Sequence, residues 1–205
     1  QGIERKTWPQ IPLLLCVAEQ DRPGRMQGLD DQLFVDIQDE LGARFHAQSA
    51  IVAHGRVGVA VALLQARALI HQQQIEQVLI AATDSLITWP TLSHYERESR
   101  LLTPTNSNGF MPGEGAGALL VGKPTGSNEL IVTGLGFGVE KATVLSEEPL
   151  RAEGLSQAIH AALADAGIQM HDLDYRITDL SGEQYYFKEA ALALSRTLRQ
   201  RKEEF

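Results

Sequence analysis

The sequence is poor in cysteine and in long apolar runs. Cys16 is the only cysteine among 205 residues. One cysteine cannot form an internal disulfide, which fits a reducing compartment, so we expect a cytoplasmic protein. The longest apolar runs, such as Ile11 to Ala18, are far shorter than the roughly 20 residues that a membrane-spanning helix needs. The sequence therefore predicts neither a membrane span nor an N-terminal signal segment.

Positive charge is also scarce. The chain has 18 lysines and arginines against 26 aspartates and glutamates, which gives a formal net charge of -8 at pH 7. A protein with this balance and with scattered basic residues has no general attraction for phosphate backbones, so we expect no nucleic-acid partner. The six histidines lack the spacing of metal ligands, and the sequence predicts no metal site.

A glycine-rich stretch resembles a nucleotide-binding loop but departs from its pattern. Gly134, Gly136 and Gly138 follow a predicted strand. In the dinucleotide-binding motif a third glycine would take the place of Val139, and a helix would begin at once. A dinucleotide-dependent enzyme would therefore require a helix directly after Gly138. No helical pattern follows there, and we expect no cofactor.

Apolar spacing predicts that strands alternate with helices in the first half of the chain. The predicted elements are a strand at Ile11 to Ala18, a helix with its N-cap at Asp30 or Asp31, a strand at Arg44 to Ala53, a helix at Arg56 to His71 and a strand at Gln77 to Ala82. This order is typical of an α/β fold with a largely parallel sheet. The helix at Arg56 to His71 is apolar nearly all the way round, which predicts that it is buried on every side.

The second half of the chain predicts a hairpin followed by helices. The residues from Phe110 to Val121 pass from a glycine-rich stretch into a strand, and Leu130 to Phe137 reads as another strand, which suggests an antiparallel hairpin. Arg151 to Ala166 is an amphipathic helix, and Glu183 to Arg199 is a second one. Tyr175 to Thr178 is a candidate strand between them.

Four of these segments, in the same order, resemble the β-ketoacyl-acyl-carrier-protein synthases. They are residues 78–86, 110–121, 130–138 and 161–175. The resemblance implies a thiolase-like layered αβαβα architecture with mixed, mostly parallel sheets, incomplete here at both ends. It also implies that residues 1–125 are the remainder of an N-terminal half and that residues 126–205 begin a C-terminal half.

The catalytic cysteine of that family is missing where the resemblance places it. A condensing enzyme needs a thiolate at a sharp strand-to-helix turn, because the helix N-terminus lowers the thiol pKa. Counting back from Leu86 puts the nucleophile at Arg56, and a small insertion moves it to Gly55 or His54. These three residues form a degenerate elbow without a thiol, and Cys16 lies inside a strand-like apolar run instead.

The first active-site histidine of the family is missing as well. It would follow the candidate strand at Tyr175, where this chain has residues 178–183, and His171 lies before that strand. The resemblance then implies a non-catalytic binding or partner protein. The alternative is an active acyltransferase of the 3-oxoacyl-carrier synthase type with a nonstandard residue at the elbow.

Several other residues are candidates for contacts at this site. His54 would act as a base or a weak nucleophile, or would instead cap the turn or bond within it. Arg56, in the first helical turn, should meet a carboxylate or an anionic ligand. The candidate pocket consists of residues from the end of the third strand and from the glycine-rich stretch: Asp84, Ser85, Phe110, Gly113 and Glu114. Asp84 and Ser85 would alternatively cap a helix.

The resemblance also suggests partners. The family dimerises through the strand that precedes the nucleophile, so we expect a homodimer through residues 44–53, whose pairing would satisfy an open sheet edge. A client protein or an acyl-carrier protein is the other expected partner.

Overall fold

A computed structural model describes residues 4–126 and 128–200. The chain forms two compact units. The first unit comprises residues up to 95 together with 112–129, and the second comprises 96–111 and the residues from 130 onward. No helix among the described residues is long and apolar enough to cross a bilayer.

The first unit is built on a four-stranded sheet. Its strands are β1 (Leu13–Cys16), β2 (Ala50–Val52), β3 (Gln77–Ser85) and β4 (Glu114–Gly122). Their order across the sheet is β2-β1-β3-β4. β1 runs parallel to both β2 and β3, whereas β4 is antiparallel to β3. The predicted α/β class with a mostly parallel sheet is therefore confirmed.

Helices cover both faces of this sheet. They are α1 (Gln32–Leu41) and α2 (Gly58–Gln72), and α3 (Trp89–Arg97) follows β3. Leu13, Leu15 and Val17 pack on the side of α1, whereas Leu14 and Cys16 pack on the side of α2. Successive strand residues point to opposite faces, so a strand covered on both sides must be apolar throughout, as β1 is. α1 begins after Asp31, one of the two predicted N-caps, and ends at Gly42.

The prediction that α2 is buried on every side is wrong for this chain. Ala62, Ala66 and Ile70 are buried against the sheet. Leu64, on another face, keeps 40% of its surface exposed, and Val57 just before the helix keeps 55%. α2 is therefore covered on the sheet side only, although its sequence is apolar around most of its circumference.

The predicted strand at Arg44 to Ala53 is also wrong in length, since β2 contains only Ala50 to Val52. The preceding residues form a turn, in which the backbone N–H of Ser49 donates to the carbonyl of His46. The Ser49 hydroxyl oxygen accepts the backbone N–H of Leu13 at 2.9 Å. A side-chain oxygen thus replaces the backbone carbonyl that would accept this N–H in a β-ladder. The alternating apolar pattern of residues 44–49 therefore does not produce a strand.

The regular secondary structure of the second unit consists of helices. α4 (Glu153–Ala166) and α5 (Gln184–Thr197) pack against each other. Arg100 donates two hydrogen bonds to the Glu183 carboxylate, at 2.7 and 2.9 Å, and both side chains are largely buried. Such a bidentate pair fixes the segment around residue 100 to the start of α5.

Two predictions for this half of the chain are wrong. Residues 130–137 form no strand, so the predicted hairpin with β4 is absent. They lie instead along α4, where a Cβ on Gly134 or Gly138 would meet the α4 backbone. The candidate strand at Tyr175 to Thr178 is irregular and exposed.

Candidate functional site

The predicted elbow lies between β2 and α2. β2 ends at Val52, a single 3-10 turn spans Gly55–Val57, and α2 begins at Gly58. The backbone N–H of Gly55 donates to the carbonyl of Val17 at 3.1 Å, which ties the turn to the chain just beyond β1. Gly55 has a φ of +49°, a left-handed conformation that glycine adopts without steric cost. The structure thus places His54, Gly55 and Arg56 at a strand-to-helix turn, as predicted.

A carboxylate fills the space beside this turn. A Cβ on Gly55 would overlap Oε2 of Glu19 and would lie 2.8 Å from its Cδ. Glu19 follows β1 and is not a residue that the sequence pattern singles out. The side-chain position at residue 55 is therefore occupied by Glu19, and only glycine fits there without displacing it.

Arg22 holds Glu19 in place. Its Nε and Nη2 donate to the two carboxylate oxygens of Glu19 at 3.0 and 2.6 Å, and its Nη1 donates to Oδ2 of Asp84 at 2.5 Å. The Arg22 side chain is only 5% exposed. We call Glu19, Arg22 and Asp84 the arginine triad. It joins the loop after β1 to the end of β3.

Glu19 and Arg22 stabilise each other's charged forms. Burial alone would raise the pKa of Glu19, but the hydrogen bond from Arg22 and the charges of Arg22 and Arg56 outweigh it, so the pKa is lowered. Burial alone would lower the pKa of Arg22, but its bonds to Glu19 and Asp84 raise that pKa above its ordinary value. Arg56, for which the sequence predicts a carboxylate or an anionic ligand, contributes positive charge that acts on Glu19.

A cavity of about 330 Å³ adjoins the triad. It lies where β1 and β3 end and where the antiparallel β4 begins, the edge at which α/β sheets commonly bind ligands. Its lining combines charged and hydroxyl side chains with apolar ones from the loop and helix after β1: Ala18, Arg22, Arg25, Met26, Leu29, Leu33, Thr83, Asp84, Ser85, Thr91 and Glu114.

The structure brings together three of the five predicted pocket residues. Asp84, Ser85 and Glu114 all line the cavity. Gly113 is outside the lining, and its carbonyl accepts the backbone N–H of Leu86. Phe110 belongs to the second unit, where it is buried with the guanidinium of Arg100 5.7 Å from its ring centre. Phe110 therefore serves packing in its own unit.

Known proteins resemble this chain in structure rather than in sequence. No protein-family model and no curated protein sequence matches it. The ketosynthase from module 6 of the bacillaene synthase of Bacillus subtilis 168 superposes with a TM-score of 0.71 at 16% identity, over 98% of this chain and 39% of that one. The chain has a ketosynthase-like fold. The predicted thiolase-like architecture is thereby confirmed.

Two further ketosynthase structures that match are assemblies. One is a type II PKS acyl-carrier protein in complex with its ketosynthase, with a TM-score of 0.69 at 15% identity over 94% of this chain and 57% of that one. The other is the ishigamide ketosynthase/chain length factor, with a TM-score of 0.62 at 13% identity over 91% and 55%. The ketosynthase-like chain thus spans about two fifths to somewhat over half the length of these proteins.

The described part of this ketosynthase-like chain has no histidine at the predicted active-site position. Residues 178–182 precede α5 without regular structure, and Glu183 is engaged by Arg100. His171 lies on the 3-10 turn Met170–Asp172, with 41% of its side chain exposed. Cys16 is buried within β1, and burial raises the pKa of its thiol. Neither side chain lies at the elbow.

The glycine stretch has a structural role in this fold. The helix that a dinucleotide-binding loop requires after Gly138 is absent, because α4 begins only at Glu153. Instead, a Cβ on Gly136 would overlap the carbonyl oxygen of Ala158, so the glycines allow the chain to lie directly on α4. The interpretation as a nucleotide site is therefore excluded for these residues.

Proposed function

We propose that this chain is a non-catalytic ketosynthase-like protein that uses the fold for binding. The observation that carries the proposal is the filled elbow: the turn between β2 and α2 contains no thiol, and the Glu19 carboxylate occupies the side-chain space at Gly55. A condensing enzyme needs that space for its nucleophile and for the thioester that it attacks.

The electrostatics of the elbow support the same conclusion. A nucleophilic thiol needs a lowered pKa, which positive charge and a helix N-terminus provide. An ionised carboxylate beside the turn raises the pKa of a neighbouring thiol, because it disfavours a second negative charge. Arg22 offsets this effect only in part, since it is shared between Glu19 and Asp84, and the charge of Arg56 acts on the Glu19 carboxylate itself.

The test is an acyl-transfer assay with the intact protein. We expect no condensation of acyl- and malonyl-thioesters and no acyl adduct on residues 53–57 by peptide mass spectrometry. An acyl group on His54, or turnover that His54→Ala abolishes, would establish the alternative of an acyltransferase with a nonstandard elbow residue. His94→Ala is the matched control, because His94 lies on α3 and outside the elbow.

We propose a second copy of this chain as the protein partner. β2 is an edge strand whose outer side pairs with no strand among the described residues. Pairing with its two-fold mate would satisfy this edge. Light scattering should give a mass of two chains for the intact protein. Ile51→Pro, which removes the backbone donor on the outer side of β2, should shift that mass toward one chain, because Val52 and Ala50 face β1 instead.

An acyl-carrier protein is the alternative partner, because one of the similar structures is such a complex. Co-purification of a carrier protein with a monomeric chain would favour this alternative over the homodimer.

A further inference from the structure

We propose that the cavity beside the arginine triad binds a small primary alkylammonium ion. This inference does not depend on the absence of condensing activity, because the cavity is formed by side chains other than those of the elbow. It rests on which polar groups of the lining are already engaged and which are left for a ligand.

Both arginines of the lining are committed to the protein. Each of the three guanidinium nitrogens of Arg22 donates to Glu19 or Asp84. The three nitrogens of Arg25 donate to the carbonyl of Ala18 and to both carboxylate oxygens of Asp30, at distances from 2.7 to 3.1 Å. Each guanidinium keeps two further N–H groups, but its positive charge is already matched by a carboxylate of the protein, which makes the cavity a weaker site for an anion.

Glu114 is the charged group that remains. Among the described residues it has no basic partner, and its carboxylate accepts one hydrogen bond, from the Ser85 hydroxyl to Oε2 at 3.0 Å. Ser85 and Glu114 face each other across the β3–β4 ladder, so two paired strands fix their positions. The free Oε1 can accept a hydrogen bond from a cation, and charge-assisted bonds of this kind are about twice as strong as neutral ones.

The rest of the lining suits a short apolar chain. Met26, Leu29 and Leu33 contribute apolar side chains to the lining, whereas Ser85 and Glu114 come from the strands. Its volume of about 330 Å³ lies at the lower end of the range for small-molecule sites. An alkylammonium ion of about six carbons would place its charge at Glu114 and its chain against these apolar side chains.

Isothermal titration calorimetry of the full chain with three ligands of equal length tests the proposal. Hexylamine, protonated at pH 7, should bind saturably below about 10 mM, a range suited to so small a ligand. Hexanoate should not bind, and 1-hexanol should bind at least about tenfold more weakly, because it lacks the charge.

A charge-neutralising variant locates the site. Glu114→Gln should weaken hexylamine binding by about tenfold or more, whereas Glu148→Gln, the same change at an exposed position of the second unit, should leave it unchanged. Glu114 is exposed, so the variant should fold, and its thermal unfolding verifies this. Absence of saturable amine binding, equal binding of hexanol or hexanoate, or full affinity in Glu114→Gln would each overturn the proposal.

Discussion

Replacement of Gly55 by alanine tests the filled elbow directly. The φ of +49° costs a residue with a Cβ about 1–2 kcal/mol. The new Cβ would also overlap the Glu19 carboxylate, which must move and give up charge-assisted bonds to Arg22, at about 1.5–3 kcal/mol. We expect Gly55→Ala to lower the free energy of unfolding by about 2.5–5 kcal/mol, a large fraction of the total for a typical domain.

Gly42→Ala is the matched control for the backbone. Gly42 lies in the same unit, has a φ of +54°, and its added Cβ would approach only the end of the flexible Arg5 side chain, at 3.0 Å. It should cost about 1–2 kcal/mol. Urea denaturation gives the free energy of unfolding of both variants. In a protein that already carries Glu19→Ala, Gly55→Ala should cost no more than Gly42→Ala, because the overlapping carboxylate is gone. Equal costs for Gly55→Ala and Gly42→Ala would refute the filled elbow.

Two further predictions concern charge and burial. The pKa of Glu19 is lowered in the folded chain. The ion pair of Glu19 with Arg22 therefore contributes its full stabilisation above the unfolded carboxyl pKa of about 4.3, and this stabilisation is lost as the pH falls through the lower folded pKa. In urea titrations below a pH of about 4.3, the unmutated protein should therefore lose stability relative to Glu19→Gln. A difference in unfolding free energy between the two proteins that does not change with pH would contradict this. Leu64→Asp should lower the free energy of unfolding by under about 1 kcal/mol, because Leu64 is 40% exposed. Ala66→Asp, at a residue that is 1% exposed, should prevent folding, which circular dichroism would detect. Equal effects of the two substitutions would be inconsistent with burial of α2 on one side only.

The elements that the sequence predicts well are those whose signals are local. β1 is apolar at every position because both faces are covered, and α1 is bounded by an aspartate and a glycine whose roles depend on adjacent residues. The elbow is also predictable, because a strand pattern changes there to a helical one. The turn at residues 46–49 is not, since it depends on the Ser49 hydroxyl accepting from Leu13, 36 positions away.

The candidate site depends more on distant contacts. Asp84 and Ser85 are predictable from their position at the end of β3, where site residues of parallel sheets gather. Arg22 lies in a polar break after β1, and its bond to Asp84 spans 62 positions. A position just after a buried strand was the signal that could have drawn attention to Arg22, but the identity of its partners follows only from the fold.

The contact between residues 134–138 and α4 has a consequence for sequence variation. On one side of this segment Gly134, Gly136 and Gly138 meet the backbone or small side chains of α4, so any larger residue there separates the segment from the helix. On the other side Phe137 and Val139 are exposed, at 38% and 81%. Tolerance to substitution should therefore alternate residue by residue. The sequence of this segment would then vary with the two-residue period of a β-strand, even though the segment forms no ladder here.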